Sequence, residues 1–274
     1  MSEKGFIYIA NRQKFIDEAI ISAQSLKRFS NEPICLICPR ILVQNNLEKV
    51  FDVIKTDEEI EEYTYLSKVI GLQLTPFKKT VFLDSDTFIT DSISELFDIL
   101  NLVDFATTNE VTMHTTTKIE LKYKHILPEF NSGVIVYNSN EVMQKIFNDW
   151  FTICQSNNII NDMPGLREAV IDNFNEVRFS ILPDQYNTHG FKSMLILNNK
   201  VKVIHERLGY KWGVTTPHFM SFEKMNKFAL KINKLEYKRL FVPKVGIIPY
   251  NWSPANIILY VKRKMGFKRV SKSR

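Results

Sequence analysis

The chain has 274 residues, 45% hydrophobic and 24% charged, which excludes a disordered, collagen-like or disulfide-stapled chain and leaves room for a sizeable core. The formal charge is +6, but seven Lys or Arg and no acid lie between Lys262 and Arg274, so the body is close to neutral and the basic character belongs to the tail. No apolar run approaches the roughly 18–20 residues that a spanning helix needs.

The start, Met1-Ser2-Glu3-Lys4, lacks the charged-then-apolar layout of a signal segment. Gly5 to Ala10 is a short apolar run ending at Asn11-Arg12 and predicts a first buried strand. Phe15, Ala19, Ala23 and Leu26 follow at helical spacing. Ile34 to Cys38 and Val50 to Ile54 read as two more strands. Cys35 and Cys38 form a lone C-x-x-C inside the first of these. Without a second pair or histidines at zinc spacing, they read as small core residues of a reduced, cytoplasmic protein.

Thr56-Asp57-Glu58-Glu59 predicts a helix start, with acids in the first turn favoured by the helix dipole. That helix is expected to end at Thr75-Pro76. Val81-Phe82-Leu83 is a strand that runs straight into Asp84. Asp104 to Thr107, Asn131 to Tyr137, Val177 to Leu182 and Val201 to Ile204 are further expected strands. Glu141 to Cys154, Pro164 to Ile171 and Phe222 to Leu235 are expected helices, and Met113 to Lys124 is expected to be a polar loop over the site. The β-α-β alternation of the first third predicts an α/β fold with a mixed, mostly parallel central sheet flanked by helices. Ligands of such sheets bind at the carboxyl ends of the strands, here at Ala10-Asn11 and Leu83-Asp84.

Asp84 and Asp86 stand two apart at a strand end, where alternate side chains of extended chain point the same way. Two converging carboxylates repel unless one is protonated or a cation lies between them. Mg²⁺ or Mn²⁺ shared with substrate phosphates is the usual solution.

Phe77 to Thr87 resembles the metal-binding segment of the GT-A glycosyltransferases, closest to glycosyltransferase family 8 and related nucleotide-diphospho-sugar transferases. Four further segments match in the family's order: Ile7 to Asn11 with Ala23 to Leu26; Phe130 to Asn138; Asp162-Met163-Pro164 with Leu182 to Asn187; and Val203-Ile204-His205. The resemblance covers roughly residues 5 to 212. It implies a GT-A (Rossmann-like) catalytic domain over 1–220, and a helical extension with a basic tail over 221–274.

The resemblance also implies roles. Ala10 and Asn11 would contact base and ribose, and Lys68 would face the donor phosphates or sugar. Asp84, Ser85 and Asp86 would bind the nucleotide-sugar, with Asp84, Asp86 and His205 holding Mn²⁺ or Mg²⁺. Asn131, Ser132 and Asp162 would touch the sugar, with Asp162 and Asn131 as the catalytic candidates. Met163 stands where the family often has Gln, and Met makes no strong hydrogen bond. The implied activity is metal-dependent transfer of a sugar, with retention, from a nucleoside-diphosphate donor, UDP-sugar first, to a hydroxyl of a glycan or lipid-linked acceptor.

Two alternatives stand beside it. Strand-then-Asp-x-Asp-x-Thr is the haloacid-dehalogenase phosphotransferase signature, but Thr87 comes one place early and some eighty residues precede the pair. The other is a non-catalytic nucleotide-sugar or membrane-binding protein. The 254–274 segment mixes apolar and basic residues. It reads either as an interfacial helix at the inner face of an anionic membrane or as a solvated helix end. It carries no nucleic-acid recognition module.

Overall fold

In the computed structural model of the chain, residues 2–62, 66–110, 122–123, 127–159, 161–189, 196–197, 200–205, 221–233, 239–242, 246–249 and 258 are described. The 254–274 segment except Ile258, and most of the expected loop at 113–124, lie outside them.

The elements in chain order are β1 (Ser2–Ile9), α1 (Gln13–Leu26), β2 (Ile34–Cys38), β3 (Val53–Thr56), α2 (Glu59–Glu62), α3 (Leu66–Gln73), β4 (Phe77–Leu83), β5 (Thr87–Ile89), β6 (Phe105–Asn109), β7 (Phe130–Asn138), α4 (Glu141–Ser156), α5 (Met163–Asp172), β8 (Phe179–Ile181), β9 (Thr188–His189), β10 (Ile196–Leu197), β11 (Val203–His205), α6 (Phe222–Asn233), β12 (Arg239–Val242) and β13 (Gly246–Pro249). The central sheet has seven strands in the order β3-β2-β1-β4-β7-β6-β8. Only β7 among these runs against the others, so the sheet is mixed and mostly parallel, as the alternation predicts.

Side-chain alternation splits the core into two layers. Phe6, Tyr8, Leu36, Val81, Leu83 and Val136 pack beneath α1. Ile7, Ile37, Phe82, Ile135 and Tyr137 pack against α3, α4 and α5. Strands covered on both faces are apolar throughout, which is why β2 is fully buried. Cys38 belongs to the first layer and Cys35 to the second, so the C-x-x-C points to opposite faces; all three cysteines are buried and free.

Helix α4 buries Met143, Ile146, Phe147, Trp150 and Cys154, a stripe at helical spacing. Asn140 caps it by accepting from the Met143 N–H at 3.0 Å. Trp150 is fully buried, worth about 3 kcal/mol by area, and its Nε1–H donates to the Asp162 carbonyl at 2.8 Å. That bond ties α4 to the residue that opens α5.

The third strand begins later than the apolar run suggests. Val50 and Phe51 are buried, but their N–H groups bond back to Leu47 in a turn, and pairing with β2 starts at Val53. Thr56 ends that strand, and the expected helix start falls at Glu59, whose N–H donates to Asp57 Oδ1 at 2.9 Å.

A second sheet, β5-β11-β9, sits beside the first. Helix α6 closes over it: Phe222, Met225 and Ala229 pack with Phe88, Val201 and Ile204. Asn233 seals the contact, donating to the Val201 carbonyl at 2.9 Å and accepting from its N–H at 3.1 Å. A third sheet joins β10, β12 and β13. Among the described residues no helix is long and apolar enough to cross a membrane.

Candidate functional site

The carboxyl edge of the sheet collects Asn11 after β1, Asp84 after β4, Glu110 after β6 and, because β7 is reversed, Asn131 at its start. β7 is also bulged there. Thr107 pairs with Ile135 but Thr108 pairs with Asn131, so Ser132, Gly133 and Val134 are extra residues on the β7 side. The bulge brings Ser132 and Gly133 into the site.

Asp84 to Thr87 is a tight turn. The Asp84 carbonyl accepts from the Thr87 N–H at 3.1 Å and from its Oγ1–H at 2.8 Å, while the Asp84 N–H bonds Gly133 O at 2.8 Å. The two carboxylates therefore converge because the chain turns between them, not because the strand extends through them. Helix α1 braces this turn with a buried polar stripe. Glu18 Oε2 accepts from Ser85 Oγ at 3.0 Å, Ser22 Oγ lies 2.7 Å from Thr87 Oγ1, and Ser25 Oγ accepts from the Ile89 N–H at 2.8 Å.

β5 continues from the turn and pairs antiparallel with β11, setting His205 opposite Thr87. His205 Nε2 then lies 3.3 Å from Asp86 Oδ1 and 3.5 Å from Asp84 Oδ2. Ligand atoms of Asp84, Asp86 and His205 all fall within 4.8 Å of one another. Two carboxylates and an imidazole converging in this way can hold a divalent metal ion.

Lys68 closes the other side. Its ammonium sits 3.0 Å from Asp84 Oδ1, 3.4 Å from Asp162 Oδ2 and 3.1 Å from Ser132 Oγ. Asp162 is buried, and its Oδ2 meets Lys68 as an ion pair without a hydrogen bond. Burial alone would lower the Lys68 pKa, but Asp162 and Asp84 outweigh it and keep the amine charged. For Asp84, burial raises the pKa while Lys68 and His205 lower it further, so it stays ionised.

Of the expected residues, the structure brings Lys68, Asp84, Asp86, Ser132, Asp162 and His205 together. Asn11 joins through Ser67, the neighbour of Lys68, with Nδ2 donating to Ser67 Oγ at 3.3 Å, and Ala10 is buried with its N–H on Ile37 O at 3.0 Å. Asn131 is engaged inside the protein: Nδ2 donates to Glu110 at 2.7 Å, and Oδ1 accepts from Asn187 at 2.7 Å and from the Gly133 N–H at 2.9 Å. Met163 starts α5, its N–H on Asn161 Oδ1 at 3.1 Å. Residue-level reading missed Glu18, Thr87, Glu110 and Asn187. Of these, Glu18 was within reach, since Glu18, Ser22 and Ser25 form a polar stripe at helical spacing.

For His205, burial alone would lower the pKa, but Asp86 and Asp84 outweigh it and push it up to about 10. The metal-free imidazole is therefore cationic at neutral pH. That pairing stabilises the metal-free fold fully below pH 6.5 and is lost as pH rises toward about 10. An ion taking Nε2 must displace the proton. Divalent-ion affinity is thus expected to rise about tenfold per pH unit from about pH 7 to 9, read from free Mn²⁺ by EPR. A flat profile would show that His205 is not a ligand.

No protein-family model matches the chain. Human glycogenin-2 is 28% identical over 116 residues, covering 36% of this chain, which spans about a quarter (23%) of that relative. Among solved structures, the galactosyltransferase LgtC with donor and acceptor sugar analogs superposes with a TM-score of 0.59 at 13% identity, over 83% of this chain and 95% of that one. Mouse xyloside xylosyltransferase 1 gives a TM-score of 0.52 at 13% identity, over 76% of this chain and 99% of that one. The chain has the fold of the GT-A nucleotide-diphospho-sugar glycosyltransferases, with its Asp-x-Asp pair and a histidine assembled at the carboxyl edge of the sheet.

Proposed function

We propose that the protein is a metal-dependent glycosyltransferase that moves a sugar from a nucleoside diphosphate, UDP-sugar first, to a hydroxyl acceptor with retention. The observation that carries this reading is the convergence of Asp84, Asp86 and His205 beside the Lys68–Asp162 pair. Asp84, Asp86 and His205 would hold Mn²⁺ or Mg²⁺. Once bound, the cation would offset charge on the departing diphosphate. Lys68 adds a fixed positive charge at the same edge. Asp162 offers a buried acceptor for a sugar hydroxyl. Asn11 and Ala10 would receive base and ribose, and Ser132, with Asn131 behind it, would border the sugar.

On this reading residues 1–220 are the catalytic domain and 221–274 an extension, with 254–274 contacting an anionic membrane near a glycan or lipid-linked acceptor. Retention follows from the family resemblance.

The test is a thermal-shift series with nucleotide-sugars and Mn²⁺, alongside release of nucleoside diphosphate. A donor at a hundred times its Kd adds about 2.7 kcal/mol, a shift of several degrees. The shift is expected for one donor class and is lost with chelator. If no donor shifts the melting temperature and none is cleaved, the reading fails. Release of phosphate from a phosphomonoester by the same protein would favour the phosphotransferase reading instead.

A further inference from the structure

The two ring nitrogens of His205 have different neighbours. Nε2 faces Asp84 and Asp86, while Nδ1 lies 2.8 Å from Asn187 Oδ1. Asn187 is fully buried in the segment between β8 and β9. Its Nδ2 lies 3.0 Å from Thr108 Oγ1 and 2.7 Å from Asn131 Oδ1.

The direction of this chain of bonds is fixed from its far end. The Gly133 backbone N–H can only donate, and it points at Asn131 Oδ1 at 2.9 Å. Asn131 therefore presents its oxygen to Gly133 and Asn187, and its Nδ2 to Glu110 Oε2 at 2.7 Å. Asn187 must then turn its own Nδ2 toward Asn131, which leaves Oδ1 toward the histidine. A carbonyl oxygen only accepts, so His205 must carry a hydrogen on Nδ1. The neutral ring then has its lone pair on Nε2, aimed between the two carboxylates. An amide does this without adding a negative charge to a cluster that already holds Asp84, Asp86 and Asp162.

We infer that Asn187 is a positioning residue, which locks His205 in the tautomer and orientation that make Nε2 a metal ligand. The inference rests on Asp84, Asp86 and His205 holding the ion, as proposed above. Loss of such a partner typically weakens metal binding by about 10- to 100-fold.

Titration with Mn²⁺ alone, read by EPR, tests it as a double-mutant cycle. Asn187→Leu should weaken Mn²⁺ binding by about 10- to 100-fold. The same substitution in a His205→Ala background should change it little. Equal losses in both backgrounds would assign Asn187 a general structural role and overturn the inference, as would wild-type affinity in the single variant. Wild-type protein that binds no Mn²⁺, or binds it equally well without His205, would instead sink the metal reading itself. A second measurement needs no variant at position 187. In Zn²⁺-loaded wild-type protein, ¹⁵N-histidine NMR should show one of the five histidines protonated at Nδ1 and ligated through Nε2, a signal absent from His205→Ala. Ligation through Nδ1 would overturn the inference.

Discussion

Replacing Asp86 with alanine is expected to cost at least about a hundredfold in sugar transfer while leaving the protein folded. The expectation comes from what holds the turn and what does not. The Asp84–Thr87 turn is closed by the Thr87 N–H and hydroxyl on the Asp84 carbonyl, and braced by Ser85 on Glu18. None of these bonds uses the Asp86 carboxylate. That carboxylate faces His205 at 3.3 Å and is one of three groups converging on one point. Its removal leaves Asp84 and His205, and Asp84 is already shared with Lys68. Two ligands, one of them ion-paired, hold a divalent ion poorly. Release of nucleoside diphosphate, Mn²⁺ titration and a melting curve on the same preparation separate the possibilities. Full activity in the folded variant would remove the cation from the mechanism. Loss of activity together with unfolding would show that Asp86 is structural.

How much of this was legible beforehand differs by the range of the interaction. β1, β2, β4 and β7 are apolar runs, and α1 and α4 are periodic stripes, so local patterning reveals them. The end of β4 announces Asp84 for the same reason. β5 is only three residues long, too short for any period, yet its pairing with β11 is what delivers His205 to the acidic turn. One sequence carries no signal for which short strand will pair with which. Extended-chain geometry pointed to Asp84 and Asp86, which converge through a chain that in fact turns at Ser85. Asn187 could be seen only as part of a family motif, because its partners, Thr108, Asn131 and His205, lie between 18 and 79 residues away. Gly133 lies in the matched segment Phe130 to Asn138, but the reason for it is spatial.

That reason makes Gly133→Ala the sharpest structural test of the site. An alanine Cβ at Gly133 would lie 2.1 Å from His205 Cε1, 2.4 Å from Nδ1 and 2.9 Å from Nε2. No left-handed backbone angle is required there, so the constraint is space alone. The strand cannot retreat cheaply, since Gly133 O accepts from Asp84 and its N–H donates to Asn131. The ring cannot bend away as a flexible side chain would, and it is held behind by Asn187 at 2.8 Å. Something must shift, and the colliding group is a side-chain ring, whereas Gly133 is fixed by backbone bonds of the sheet. Gly133→Ala is therefore expected to lower Mn²⁺ affinity to that of His205→Ala and to destabilise the fold by about 1–3 kcal/mol through overpacking. The sign of a second substitution tells ring displacement from general damage. His205→Ala added to Gly133→Ala removes the colliding ring, so the double variant should melt higher than Gly133→Ala alone. If the double variant melts lower, the two residues do not compete for the same space. The packing argument for this glycine would then fall, whatever becomes of the metal.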